Sequence, residues 1–263
     1  MGTLYVVATP IGNLEDITLR ALRLLASVDL IAAEDTRTAR KLLTAHKIKT
    51  PRLLSFNDHN RKVRIPAILQ ALDEIDVALI SEAGTPGVSD PGIELVAAAA
   101  AAGHRVEPVP GASALTAALA ASALSTRRVR YLGFLPRRSG ERKALLKEAA
   151  PSADALVIFE APHRLRATLN DLHSALGDRR IAVCRELTKL HEEIVHGSLA
   201  ELAERAASGT IDGRGELVIV LGEGRAAARA AAASASDSEV ESRPSTGVSQ
   251  SYATTPLRRR SSR

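Results

Sequence analysis

Two stretches in the second half of the chain place ionisable side chains just after apolar runs. FEAPHRL contains Glu160, His163 and Arg164, and CRELTK contains Glu186 and Lys189. A carboxylate or imidazole held over the end of a strand can act as a general base. The same side chains are equally suited to structural ion pairs, Glu160 with Arg164 and Glu186 with a neighbouring cation. The sequence therefore identifies two places for proton transfer and leaves the ion-pair alternative open.

Neither stretch has the spacing of a metal site. His191 and His196 are five residues apart, so they do not share a helix face as the histidines of an H-E-x-x-H zinc site do. Cys184 is the single cysteine, which excludes an internal disulfide and a multi-cysteine metal site. We therefore expect no metal.

Four loops rich in glycine, proline or acidic residues follow strand-like runs in the first half of the chain. They are TPIGN at 9–13, EDTR at 34–37, SEAGTPGVSDPG at 81–92 and PVPGAS at 108–113. Ligands of open α/β sheets bind beyond the carboxyl ends of the strands, where glycine exposes bare backbone. One such loop can be a simple tight turn, but four together predict a binding cleft. We interpret Asp90, which precedes Pro91, as the cap of the next helix.

The predicted cleft lacks the glycine patterns of common nucleotide sites. No G-x-G-x-x-G opens a helix after the first strand, and no G-x-x-x-x-G-K-[ST] occurs. We therefore expect neither a dinucleotide nor a nucleoside triphosphate.

Short β-branched runs alternate with Ala- and Leu-rich helical patterns. The first series has predicted strands at 4–9, 29–34, 77–81 and 105–109 and predicted helices at 18–26, 37–45, 61–72, 92–102 and 113–121. The second series has strands at 129–134, 154–160, 180–186, 192–198 and 215–222 and helices at 141–149, 164–176 and 199–207. This alternation predicts an α/β fold in two domains, residues 1–125 and 126–224.

Charge is concentrated at two places. Residues 225–263 contain seven Arg against three acidic residues and so contribute +4 of the net charge of +5. Their Ser-, Ala- and Thr-rich composition predicts a disordered tail. Its end, which contains Arg258–Arg260, could contact nucleic acid nonspecifically, but a solvated terminus is the better interpretation. The basic stretch at 126–143 can neutralise phosphates or form a solvated surface. No apolar run is long enough to span a membrane, and we expect a soluble, cytoplasmic protein.

The order of the motifs resembles a known family. VATPIGNLEDIT, AEDTR, SEAGTPGVSDPG, VPGASAL, FLPRRSGER, FEAPHRL and CRELTKLHEE follow one another between about residues 4 and 222. Together they resemble the tetrapyrrole-methylase superfamily and, within it, the cytidine 2′-O-methyltransferases of the small ribosomal subunit RNA.

The resemblance implies a class III methyltransferase fold of two α/β domains, usually a homodimer, with the cofactor cleft between the domains. It also implies S-adenosylmethionine-dependent methylation of a cytidine 2′-hydroxyl in the decoding region of 16S rRNA, within the small ribosomal subunit. The cofactor-binding positions it implies are Pro10, Ala83, Gly84, Thr85, Val88, Ser113, Phe159 and Leu187.

Methyl transfer from a sulfonium to a ribose hydroxyl requires positioning and a proton acceptor but no metal. Our candidates for the acceptor are, in falling order, Glu160, His163 and Glu186. The proposed contacts to RNA phosphates are Arg37, Arg137, Arg138, Arg185 and Lys189.

Two other functions fit parts of the sequence. A small-molecule methylase acting on a tetrapyrrole would share the fold, but such members carry G-G-D-P where this chain has Ala83-Gly84-Thr85-Pro86. A non-catalytic RNA-binding module would account for the basic stretch, but it would not need four ligand-binding loops.

Overall fold

The first half of the chain forms a parallel sheet. A computed structural model describes residues 1–211 and 214–224. The strands are β1 (Thr3–Val7), β2 (Leu30–Ala33), β3 (Arg52–Ser55), β4 (Val77–Ile80) and β5 (Arg105–Val109). Their order is β3-β2-β4-β1-β5, and all neighbours are parallel. The loops that follow these strands therefore meet at one edge of the sheet.

Helices cover both faces of this sheet. They are α1 (Leu19–Ser27), α2 (Thr36–Ala45), α3 (Arg61–Leu72), α4 (Ile93–Ala101) and α5 (Ala114–Ala121). Every residue of β2 and β4 is buried, as expected for central parallel strands. One apolar cluster packs β-strand residues against α1 and α2, and a second packs them against α3 and α4.

The second half forms a mixed sheet. Its strands are β6 (Val129–Phe134), β7 (Ala155–Glu160), β8 (Arg180–Arg185), β9 (Glu193–Ser198) and β10 (Leu217–Leu221). The order is β6-β7-β10-β8-β9, in which only β6 and β7 are parallel. The strand that comes last along the described chain therefore lies in the middle of its sheet.

Different helices cover the two faces of the second sheet. On one face lie α6 (Ser139–Ala149), α7 (Leu165–Leu176) and α8 (Leu199–Ala207), which form one apolar core with the strands. On the other face, α5 of the first half packs through Ala118 against Val157, Ala182 and Val220. The two halves therefore share an apolar core, which fixes the cleft-forming loops relative to the second sheet.

The structure confirms the predicted α/β class and most of the predicted elements. The strand β3 was missed. The interpretation of Asp90 as a helix cap was wrong, because α4 begins at Ile93 after Gly92, which takes the cap position with φ of 148°.

The domain boundary near residue 125 stays a prediction, within the connection between α5 and β6. The predicted tail at 225–263 lies outside the described residues. In the described chain no helix is both long enough and apolar enough to cross a membrane.

Candidate active site

The loop after β4 is hydrogen-bonded to the loops after β1 and β5. The Thr9 amide donates to the Gly84 carbonyl at 2.8 Å, and the Gly84 amide donates to the Thr9 carbonyl at 3.0 Å. The Thr85 hydroxyl donates to the Ala112 carbonyl at 3.3 Å. Residues 84 and 85 therefore hold three of the predicted loops together.

The loop after β2 joins the same assembly through Glu34. Its carboxylate accepts a hydrogen bond from the Glu82 amide at 3.1 Å. Burial raises the pKa of Glu34, and the nearby Glu82, Asp58 and Asp35 carboxylates add to the shift, whereas the Glu82 amide opposes it. The four loops predicted to form a cleft are thus in contact with one another.

A cavity of about 330 Å³ opens beside these loops. The first half of the chain lines it with Ile11, Ala83, Gly84, Thr85, Val88, Asp90, Ser113 and Ala114. The second half lines it with Phe134, Phe159, Glu160, Ala161, Pro162, Gly215, Glu216, Leu217 and Val218. The cavity therefore lies between the two sheets and is mostly apolar.

Glycine is required where backbone forms the cavity wall. Gly84 has φ of 78°, and a Cβ there would lie 3.3 Å from Cγ2 of Ile11. Gly215 has φ of 85°, and a Cβ there would lie 2.5 Å from the side chain of Glu186. Both positions have a left-handed backbone that other residues adopt only with strain.

An aromatic cluster forms the wall contributed by the second sheet. The rings of Tyr131 and Phe159 meet edge to face with centroids 5.2 Å apart, and those of Phe134 and Phe159 do so at 5.7 Å. The Tyr131 hydroxyl shares a hydrogen bond with the Ser89 hydroxyl at 2.5 Å. This contact joins β6 to the loop after β4.

Asp90 is the cavity residue whose protonation is most strongly perturbed. Burial raises its pKa to about 6, the neighbouring Glu34, Glu82 and Glu216 carboxylates add to the shift, and a hydrogen bond with Ser81 opposes it. The sequence predicts a helix cap for Asp90 and not a place in the cavity, because Asp before Pro is typical of a helix start. A carboxyl with this pKa can accept a proton near neutral pH.

Glu160 lines the cavity, but its carboxylate is engaged. The residue is 2% exposed, and one oxygen accepts a hydrogen bond from the Ala161 amide at 2.8 Å and pairs with Arg164 Nε at 3.3 Å. The other oxygen accepts a hydrogen bond from the Thr168 hydroxyl. The ion-pair alternative considered for Glu160 is thus present in the structure.

The other two acceptor candidates lie outside this cavity. His163 lines an adjoining groove together with Arg137. Glu186 has φ of 49°, and its carboxylate accepts from Lys189 Nζ at 2.9 Å and from the Glu216 amide at 2.8 Å. These bonds lower the pKa of Glu186, with the backbone bond from Glu216 as the largest cause.

Most of the predicted cofactor positions come together. Six of them line the cavity: Ala83, Gly84, Thr85, Val88, Ser113 and Phe159. Leu187 lines a small adjoining pocket that shares Ile11, Ala114, Glu216 and Val218 with the cavity. Pro10 lines a separate cavity of about 230 Å³. Residues 215–218 at the start of β10 were not singled out from the sequence.

The predicted phosphate contacts differ in their pairing. Arg37 is paired with Asp35 at 2.7 Å, Arg138 with Glu141 at 3.3 Å, and Arg185 with Glu193 at 3.1 Å. Lys189 bridges Glu186 and Glu216, at 2.9 and 3.1 Å. Arg137 is exposed and has no ion-pair partner within residues 1–211 and 214–224. Those residues contain no group of three or more His, Cys, Asp or Glu side chains placed to hold a metal ion.

The sequence is similar to curated ribosomal RNA methyltransferases. A protein from Synechocystis named ribosomal RNA small subunit methyltransferase I is 52% identical over 201 residues, covering 76% of this chain and 72% of the relative. A protein of the same name from Halalkalibacterium halodurans is 47% identical over 219 residues, covering 83% of this chain and 75% of the relative.

The fold is that of solved methylases. The crystal structure of uroporphyrin-III C-methyl transferase from Thermus thermophilus, complexed with S-adenyl homocysteine, has a TM-score of 0.60. The two proteins are 22% identical, and the likeness covers 84% of this chain and 98% of that chain. This likeness confirms the predicted class III methyltransferase fold.

The family model described as Tetrapyrrole (Corrin/Porphyrin) Methylases matches residues 3–203, which include all four loops and most of the second sheet. The chain therefore belongs to the tetrapyrrole methylase family.

Proposed function

We propose that this protein transfers the methyl group of S-adenosylmethionine to the 2′-hydroxyl of a cytidine in the decoding region of 16S rRNA. The observation that carries the proposal is the identity of 47% over 219 residues and 52% over 201 residues to proteins named ribosomal RNA small subunit methyltransferase I. The matched region contains the loops that wall the cavity.

The cavity residues fit S-adenosylmethionine. Ile11, Val88 and Phe159 provide apolar surface for the adenosyl group, and the bare backbone at Gly84 permits close approach. The Ser113 side chain occupies the cap position of α5 without donating or accepting a capping hydrogen bond, so its hydroxyl is available to a ligand. When bound, S-adenosylmethionine supplies an electrophilic methyl group.

We assign proton acceptance to Asp90. The ribose oxygen forms a bond to the methyl carbon as the carbon–sulfur bond breaks, and the hydroxyl proton passes to the Asp90 carboxylate. Its pKa of about 6 leaves the carboxylate ionised at neutral pH and still basic enough to take the proton. The electron pair of the broken bond stays on sulfur, so the leaving group is a neutral thioether.

Glu160, the first acceptor candidate from the sequence, is better suited to holding the backbone of the cavity wall in place. Its two oxygens fix the Ala161 amide, Arg164 and Thr168, and so fix the turn that carries Pro162 into the cavity wall. Glu186 has an analogous role beside Glu216, because it accepts the Glu216 amide hydrogen bond. His163 faces the neighbouring groove, where it can contact RNA.

The RNA is proposed to reach the cavity across the surface that carries Arg37, Arg137 and Arg138, with Arg185 and Lys189 nearer the second sheet. The first three are exposed and able to face phosphates. A substrate within the small ribosomal subunit places the protein in the cytoplasm. A homodimer, which the family resemblance implies, remains part of the proposal.

The test is methyl transfer to small subunits isolated from a strain that lacks this protein. Labelled S-adenosylmethionine is supplied, and the rRNA is digested to nucleosides and analysed by mass spectrometry. We expect label in 2′-O-methylcytidine and a loss of label with Asp90→Asn. Label on a base, or label in an added tetrapyrrole and none in RNA, would contradict the proposal. Calorimetric titration with S-adenosylmethionine separates an enzyme from a non-catalytic RNA-binding module.

A further inference from the structure

Phe134 is an exposed aromatic residue at the mouth of the cavity. It ends β6, and 57% of its surface is exposed, whereas Phe56 is fully buried. Among the described residues it is the one aromatic residue in the set of exposed large apolar side chains. Its edge-to-face contact with Phe159 holds one side of the ring and leaves the remainder to solvent. Nothing in the fold itself accounts for this exposure.

Phe134 is shared by the cavity and a second concave region. A groove of about 1010 Å³ adjoins the cavity, and both are lined by Phe134 and Ala161. A ligand that extends from the cavity into the groove therefore lies beside Phe134 and Ala161. A polymer whose reacting unit enters the cavity has its next unit in position to occupy the groove.

The groove is basic on its exposed side. Arg137 and His163 line it, both are exposed, and neither side chain has a hydrogen-bond or ion-pair partner among the described residues. The buried guanidinium of Arg142 is compensated by Asp171 at 2.6 Å, and Arg164 is compensated by Glu160. Arg137 therefore offers an unpaired cation to an anionic ligand.

The loop that carries these groups is held rigidly. Arg164 donates to the carbonyls of Leu135 and Pro136 at 2.8 and 2.9 Å. Arg142 donates to the carbonyls of Pro136 and Arg137, both at 3.3 Å. Two largely buried side chains thus fix the backbone between Phe134 and Arg137, which preorganises the ring and the guanidinium for a ligand.

We propose that this groove binds the nucleotide adjacent to the methylated one in single-stranded RNA. Its base stacks on the exposed face of Phe134, and its phosphate lies against Arg137 with His163 beside it. Proteins read unpaired RNA in this way, with an aromatic platform for the base and a cation for the phosphate. The inference rests on the proposed RNA substrate and adds to it a subsite outside the cofactor cavity.

The first test compares Phe134→Leu, which keeps an apolar side chain but removes the ring, with Phe134→Tyr, which keeps the ring. With small subunits as substrate, we expect Phe134→Leu to raise KM by about 5- to 150-fold, the range for loss of one stacked base. Phe134→Tyr should stay near the wild type. The Kd for S-adenosylmethionine, measured by calorimetry, should rise much less than KM, because Phe134 is one of many residues that line the cofactor cavity. An unchanged KM, or a Kd for S-adenosylmethionine that rises as much as KM, would overturn the proposal.

The second test measures binding directly and does not depend on methyl transfer. The probes are a fluorescein-labelled RNA decamer containing the target cytidine and two copies that are abasic immediately 5′ or 3′ of it. We expect the wild-type protein to bind one of the abasic probes as weakly as Phe134→Leu binds the intact decamer. Phe134→Leu should bind that abasic probe no more weakly than it binds the intact decamer. Additive losses at both positions, or no binding of the intact decamer by the wild type, would contradict a stacking site. If stacking is seen but small subunits are not methylated, the proposed function fails and the subsite stands.

Discussion

The hydroxyl of Tyr131 lies 2.5 Å from the hydroxyl of Ser89, and this hydrogen bond joins the second sheet to the central loop of the first. Burial raises the pKa of Tyr131, so the phenol stays protonated at neutral pH. Because Tyr131 also packs on Phe159, one residue couples the aromatic wall of the cavity to the loop wall.

Replacing Tyr131 with Phe should loosen this coupling and weaken cofactor binding. A single hydrogen bond contributes about 0.5–1.5 kcal/mol, so we expect a Kd for S-adenosylmethionine about 2- to 12-fold higher, measured by calorimetry. Tyr5→Phe is the matched control, because the Tyr5 hydroxyl has no hydrogen-bond partner within the described chain. Equal effects of the two substitutions would show that the Ser89 contact does not support the cavity.

The isosteric change Asp90→Asn should remove the proton acceptor. We expect kcat to fall about 10²- to 10⁴-fold, the usual contribution of a general base. The wild-type rate should decline as pH falls through about 6, where Asp90 becomes protonated, and this acid limb should be absent in the variant. If the variant keeps the wild-type rate and the same acid limb, another group accepts the proton.

The same substitution should stabilise the protein at high pH. Folding raises the pKa of Asp90 to about 6 from an unfolded value of about 3.9. The folded state therefore favours the protonated carboxyl, and its contribution to stability is complete below about pH 4 and lost as pH rises through about 6. Asn stays neutral, so Asp90→Asn should raise the denaturation midpoint more at pH 8 than at pH 5. Asp29→Asn, at an exposed carboxylate, serves as the control.

Gly84→Ala should impair both stability and cofactor binding. The residue has φ of 78° and lies against Ile11, so Ala there is strained by about 1–2 kcal/mol and narrows the cavity. Gly103→Ala is a closely matched control, because Gly103 has φ of 82° with no atom within 4 Å of the added Cβ. Both variants should unfold at lower denaturant concentration, and only Gly84→Ala should weaken S-adenosylmethionine binding. A cofactor affinity lowered equally by Gly103→Ala would attribute the effect to general destabilisation.

The double variant Arg137→Ala and Arg138→Ala should reduce the salt dependence of RNA binding. Each lost phosphate contact on single-stranded RNA lowers the slope of log K against log salt by about 0.7, so we expect a decrease of about 1.4. Filter binding at several salt concentrations provides the slope. The control is Arg105→Ala, because Arg105 lies at the start of β5, at the opposite end of the first sheet from the cavity loops. This variant should leave the salt slope unchanged. A slope that the double variant does not alter would remove both arginines from the RNA contact.

Several elements could be predicted from the sequence to the residue, whereas a short edge strand could not. The helix Arg61–Leu72 and the strand Arg105–Val109 were predicted to the residue. The strand β3 has four residues, lies at the sheet edge and begins with an exposed Arg52, so its apolar signal is short and one-sided. Its pairing with β2 is a tertiary contact that no local pattern encodes.

The site was predictable where it follows parallel strands and not elsewhere. Residues 215–218 lie at the start of a strand, whereas the predicted site residues follow the carboxyl ends of strands. The strand β10 runs antiparallel to β7 and β8, so Leu217 at its start lies opposite Glu160 and Arg185 at their ends. The position of Asp90 in the cavity was equally hidden, since the helix begins only at Ile93, after the backbone turn at Gly92.

The central position of β10 has a consequence for biosynthesis. While the chain is being translated, all strands of the first sheet leave the ribosome early, but β7 and β8 have no shared edge until β10 is inserted between them. The second wall of the cavity, which includes Leu217 and Val218, therefore forms last. A nascent chain truncated before residue 217 leaves β7 and β8 with unpaired edges and lacks Leu217 and Val218 of the cavity wall. This proposed modifier of ribosomes therefore gains its activity only after a ribosome has made nearly all of the described chain.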